Sequence, residues 1–171
     1  MTIPQYIQLF NDYIEANGNT FKNKIITIIN YCKKFIKKKE LLDKTLLSTL
    51  DRTELTYIKF SSIIDNIENS LVKNLNDVML RLHSFDEDEY EQILRNTTSM
   101  SKNYIERMEI FKDYIKYVDN SIDFIDMILL KIDKLQLETA KIKSLDVIEI
   151  ENLETVRDID KLIENMKMYK I

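Results

Sequence analysis

Glycine and proline are nearly missing from this chain of 171 residues: Gly18 and Pro4 are the single examples of each. Tight turns, strand bends and bulges draw on those two residues, so a fold of short strands and hairpins lacks its usual materials and helices are favoured. The glycine shortage also excludes phosphate-cradling and dinucleotide-binding loops, where only a backbone without Cβ lets a phosphate approach closely. Cysteine occurs once, as Cys32, which rules out an internal disulfide and any zinc site built from several cysteines. Cys32 reads instead as a small core hydrophobe. The one histidine, His83, has no HExxH or Glu-x-x-His companion with which to share a metal, and no nucleophile elbow is present.

Long apolar runs are absent as well. The longest uncharged stretches, such as residues 25–32, fall far short of the about 20 residues that span a bilayer. The first ten residues hold no basic segment ahead of an apolar one and no small-residue cleavage site. A soluble cytoplasmic protein is therefore expected, in which the sequon at Asn96, Thr97 and Thr98 has no use.

What is abundant is apolar and charged residues together, 44% and 32% of the chain. That is too apolar for a disordered chain and too charged for a membrane-embedded one. The charge is unevenly placed. Residues 1–60 hold ten Lys and Arg against six Asp and Glu, a net of +4, whereas the rest holds fifteen against twenty-three, a net of −8. Such polarity can bias the pairing of one segment with another, or the approach of a partner.

The apolar residues recur at helical intervals. Thr2 with Gln5 has the spacing of a capping box, and Ile3, Ile7, Phe10 and Ile14 then trace a stripe up to Gly18, a candidate helix stop. Thr20 is a candidate cap for a second helix in which Phe21, Ile25, Ile28, Ile29, Cys32, Phe35 and Ile36 form a broad apolar face. Leu41, Leu42, Leu46, Leu47 and Leu50 continue the pattern, with a bend near 37–40 left open. A helix over 53–83 carries Tyr57, Phe60, Ile64, Ile67, Leu71, Leu75, Val78 and Leu82. Ser84 with Glu87 suggests a capping box for a helix over 85–95, whose acids Asp86 to Glu89 complement the helix dipole. Polar residues 96–101 separate it from a helix over 101–145. A last helix over 147–168 follows, capped through Asp146 and Glu149, with Leu153, Val156, Ile159, Ile163 and Met166 inward.

The longest regular signal lies in the 101–145 segment. Tyr104, Met108, Phe111, Ile115, Val118, Ile122, Ile125, Leu129 and Ile132 alternate four and three residues apart, the a/d seam of a coiled coil or long bundle helix. Flanking residues Ile105, Ile110, Tyr114, Tyr117 and Ile128 widen it beyond a two-stranded seam. The expected architecture is all-α: one domain over 1–171, an elongated antiparallel bundle with basic N-terminal helices over 3–50.

Two features bear on function. The seam can be core or a surface for a partner helix. The basic cluster Lys33, Lys34, Lys37, Lys38 and Lys39 forms adjacent rows beside an apolar face, suited to a solvated surface, an anionic membrane or an acidic partner. Nucleic acid is disfavoured, because counterion release rewards many basic contacts and the chain is acidic overall. The acids Asp86 to Glu89 lack the loop glycine that folds carboxylates around a cation, and Asp119, Asp123, Asp126 and Asp133 read as the wet side of the long helix. With no catalytic vocabulary and no implied cofactor or metal, the expectation is a non-enzymatic helical interaction protein, an adaptor or structural subunit binding partner helices. The alternative is a peripheral membrane protein docking through 21–39.

Overall fold

A computed structural model of the chain describes residues 1–16, 20–95, 101–139 and 147–168. Among them seven helices and no strand form: α1 (Ile3–Ala16), α2 (Lys22–Leu47), α3 (Leu55–Ser84), α4 (Glu87–Arg95), α5 (Lys102–Thr139), α6 (Val147–Glu151) and α7 (Glu154–Met168). The all-α bundle expected from periodicity is present. Gly18, the stretch 96–100 and Asp146 lie outside the described residues.

Helix ends follow local hydrogen-bond competition. Thr2 opens α1, its N–H donating to Gln5 Oε1 at 2.7 Å while its carbonyl accepts the Tyr6 N–H at 3.1 Å, one half of the expected capping box. α2 starts later than a cap at Thr20 would allow, because the Phe21 carbonyl accepts its first helical hydrogen bond from Ile25. It then runs through 37–40 without a break. Beyond Leu47 the chain turns, and α3 begins at Leu55 rather than near Thr53: the Glu54 carbonyl accepts from Ile58 N–H, and the Glu54 side chain accepts from Asp51 N–H at 2.6 Å.

Ser84 does not cap α4. Its hydroxyl donates back to the Leu80 carbonyl at 2.9 Å, and Asp86 Oδ1 accepts the Glu89 N–H at 2.8 Å instead. A carboxylate is the stronger acceptor and stands closer to the first turn. α5 starts as expected, with Ser101 accepting the Tyr104 N–H on its hydroxyl at 3.2 Å. The single helix expected over 147–168 is two, α6 and α7, divided at Asn152 and Leu153. On one straight helix Ile150 would point about 120° from Val156 and opposite Ile159, yet all three are buried. The break restores their common direction.

The chain divides into two compact units, Met1–Asn30 with Val72–Phe124 and Tyr31–Leu71 with Ile125–Ile171. In the first, α1 lies parallel to the end of α3, since Tyr6 OH donates to Asn76 Oδ1 at 3.1 Å and Tyr13 OH to the Leu82 carbonyl at 3.4 Å. The buried stripe of α1 is Ile3, Tyr6, Phe10 and Tyr13, rotated from the expected one so that Ile7 and Ile14 are half-buried. Tyrosine rings take the inner face because both hydroxyls find acceptors there. α4 runs antiparallel to α5, with Glu89 paired to Arg107 and the Ile93 carbonyl accepting from Tyr104 OH at 3.4 Å.

Phe85, in the two-residue link between α3 and α4, is the hub of this unit. Its ring centroid lies 4.7 Å from Phe21, 5.2 Å from Phe111, 5.3 Å from Tyr90 and 6.0 Å from Tyr114. The edge-to-face and tilted rings at these separations match the quadrupolar preference of aromatic pairs. The Arg81 guanidinium lies 3.4 Å from the Tyr117 ring centroid, a cation–π contact that ties α3 to α5.

In the second unit α2 and α3 run antiparallel, joined by Lys39 to Glu68 and by Tyr57 OH donating to Asp43 Oδ1 at 2.8 Å. α5 and α7 are antiparallel too, with Lys131 paired to Asp158 and Thr155 donating to Glu138 Oε1 at 2.7 Å. Lys59 meets Glu151 of α6 at 2.8 Å. Phe35, Leu42, Phe60, Ile67, Leu71, Ile125 and Leu135 are buried, most of them completely. Each such side chain contributes about 1.5 to 3 kcal/mol relative to exposure.

Candidate functional site

The α5 seam is largely core. Phe111, Val118, Ile125, Leu129 and Ile132 are buried, Tyr104, Met108, Ile115 and Ile122 are half-buried, and Ile128 and Leu135 join the inner face. Helices of this same chain cover it. Of the flanking residues, Ile105 and Ile110 are exposed, while Tyr114 and Tyr117 are half-buried.

A second apolar strip lies on α5 outside the seam. Met127, Leu130 and Leu137, three and seven residues apart, are 45%, 54% and 66% exposed. At about 100° per residue they fall within one quadrant of the helix, with Lys134 between them. The sequence carried this signal only as apolar residues out of phase with the stronger seam.

The five lysines of α2 separate into two groups. Lys38 pairs with Asp133 and Lys39 with Glu68, with Asp65 3.7 Å away. Lys39 stands on the inner spacing of α2, in line with Cys32, Phe35, Leu42 and Leu46, so its stem lies along the core edge and its ammonium emerges onto α3 carboxylates. Lys33, Lys34 and Lys37 face solvent, and among the described residues none has a carboxylate partner. Lys34 sits 5.4 Å from the Tyr31 ring centroid. The apolar face of 21–39 is spent inside the protein: Phe21, Ile25, Ile28, Ile29, Cys32 and Phe35 are all buried.

The uneven charge is used internally in the same way. Lys24 pairs with Asp119 and Lys38 with Asp133, each joining α2 to the α5 residue ninety-five positions later. Asp119 and Asp133 thus line a helix contact, whereas Asp123 and Asp126 face water. Pairs this exposed contribute about 0 to 1 kcal/mol each, so they select partners among helices more than they hold the fold.

The acidic run before α4 is divided among separate tasks. Asp86 caps the helix, Glu89 pairs with Arg107, and Glu87 Oε1 accepts both the N–H of Thr20 at 2.9 Å and its hydroxyl at 2.7 Å. The Thr20 hydroxyl, expected to cap α2, is instead held by this distant carboxylate. Among the described residues no three His, Cys, Asp or Glu side chains converge as metal ligands. His83 is exposed in the last turn of α3, its ring edge-on to Tyr13 at 6.1 Å. Burial pushes the Cys32 thiol up to about 12, so it is neither a thiolate nucleophile nor a ready ligand at neutral pH. No helix of the described residues is long and apolar enough to cross a membrane.

Phe85 and the Met127, Leu130 and Leu137 strip are the features sequence periodicity passed over. Phe85 had one legible sign, a large apolar residue set between Ser84 and the acidic run that begins at Asp86. No family model matches this sequence, and comparison with curated proteins and with solved structures gives no significant match.

Proposed function

We propose that this chain is a non-enzymatic helical interaction protein, an adaptor or structural subunit that joins a larger assembly through helix faces left outside its own core. One observation carries the reading. α5 presents Met127, Leu130 and Leu137 to water although its opposite face already supplies core residues. Three large aliphatic side chains on one side of a helix are the kind of patch that a protein partner or a second copy covers.

Docking to a bilayer through 21–39 is less well supported, since the side chains that would insert are occupied in the core.

The test is light scattering after size exclusion, together with affinity purification from the cells that make the protein, for the native chain and for Leu130→Glu with Leu137→Glu. The native chain should self-associate or retain a reproducible partner, and the double variant should lose it while its thermal melt stays in place. A native chain that is monomeric and partnerless in both measurements would refute the reading.

A further inference from the structure

We infer that the outer face of α2 in the second unit is a docking surface for an acidic helix of a protein partner. Lys34, Lys37, Leu41 and Lys44 stand three, four and three residues apart, with Lys33 beside them, and all five are exposed. That is the spacing by which one helix presents a continuous line to another. It lies opposite the α2 face that carries Phe35, Leu42 and Leu46 into the core.

Charge names the occupant. Lys33 and Lys37 are like charges four residues apart, an arrangement that works against the helix unless anions offset it. Neither makes an ion pair with a carboxylate among the described residues, Glu40 three residues after Lys37 included, whereas Lys38 and Lys39 on the same helix do. Those neighbours also show the form of the answer. Lys38 meets Asp133 on α5 and Lys39 meets Glu68 on α3, so α2 lysines are answered by carboxylates placed along a packed helix.

The outer stripe presents the same chemistry on the exposed side of α2. Leu41, 50% exposed, supplies an apolar point of contact within the basic line. A bilayer fits less well, because anionic surfaces hold basic helices best when an apolar face inserts beside the charges, and that face is buried here.

This inference rests on the interaction reading above, and its test separates the two. A labelled synthetic helix with Glu at alternating three- and four-residue spacing about a central Leu is titrated with the full chain by fluorescence anisotropy. A peptide of the same composition interrupted by prolines, and phosphatidylserine vesicles, serve as competitors. We expect saturable, salt-sensitive binding of the helix. It should weaken by at least about tenfold in the Lys33→Glu, Lys34→Glu, Lys37→Glu variant and be regained when that variant meets a Lys-substituted helix. The charge swap also shows that the variant is folded.

Equal binding to the native and reversed chains, or to the proline-interrupted peptide, would overturn the assignment. So would capture by the vesicles with none by the helix. If the chain keeps its cellular partner with all three lysines reversed, the α2 surface is refuted while the interaction reading stands.

Discussion

Replacing Phe85 with alanine tests the first unit at its centre. Phe85 is 7% exposed and its ring meets Phe21, Tyr90, Phe111 and Tyr114, drawing the start of α2, α4 and α5 onto one side chain outside any helix. Truncating a buried phenylalanine costs about 3 to 5 kcal/mol through lost burial and the cavity left behind. Four aromatic neighbours, each worth about 0.5 to 1.5 kcal/mol beyond area, place Phe85→Ala toward the upper end. Phe85→Leu keeps most of the volume and forfeits chiefly the ring contacts, so about 1 to 2 kcal/mol is expected. At about 2 to 4 °C per kcal/mol for a chain of this length, the Ala variant should melt about 8 to 20 °C lower. Urea unfolding followed by circular dichroism measures the loss. Tyrosine fluorescence gives a second probe, the chain having no tryptophan. A cost below about 1 kcal/mol for Ala, or equal costs for Ala and Leu, would show that the ring cluster does not organise the unit.

Three further expectations concern the second unit and the middle of α3. Ile125, fully buried, and Leu130, 54% exposed, lie on opposite sides of α5. Ile125→Asp should cost more than about 3 kcal/mol and Leu130→Asp no more than about 0.5 kcal/mol, and equal effects in a denaturant melt would mean the inner face is wrongly assigned. Asn74 is 4% exposed and its buried Oδ1 has no hydrogen-bond partner, so Asn74→Leu should raise stability by about 1 kcal/mol or more by removing an unpaired acceptor. A loss instead would contradict the unpaired state.

The hydrogen bond from Lys131 holds the Asp158 carboxyl below its ordinary range. A carboxyl with a depressed folded pKa contributes stability above its unfolded value of about 3.9, and that contribution fades as pH falls through the lower folded value. The native chain should therefore exceed Asp158→Asn in stability at neutral pH, with the gap closing below about pH 4. A gap unchanged down to pH 2 would rule out the Lys131 pairing as its source.

The long stripes of α2, α3 and α5 were legible because Ile, Leu and Phe recur every three or four residues over several turns. What was misread shares a cause: the deciding partner is far away in sequence. Tyr6 and Tyr13 displaced Ile7 and Ile14 from the inner face of α1 only because Asn76 and the Leu82 carbonyl, about seventy residues on, accept their hydroxyls. Thr20 looked like a cap and is instead held by Glu87, sixty-seven positions away. Ser84 had the spacing of a cap, but Asp86, read only as a first-turn acid, takes that place because α4 begins at Glu87.

The lysine cluster shows where a local rule suffices. Counted from Phe35 at about 100° per residue, Lys39 falls with Leu42 on the inner phase of α2, Lys38 on its flank, and Lys33 and Lys37 on the far side. The ion pairs obey that order.

Periodicity is blind to ownership. The recurrence from Tyr104 to Ile132 says that something apolar covers α5, and the buried residues show that helices of this chain do so from Phe111 onward. An interaction function cannot then rest on the seam, since exposing Val118 would dismantle the core of the first unit, and exposing Ile125 and Ile132 that of the second. The interaction we propose uses instead residues out of phase with the seam, Met127, Leu130 and Leu137, and the lysines on the far side of α2. Those positions can change without touching the buried set, so mutation can test the proposed recognition apart from folding.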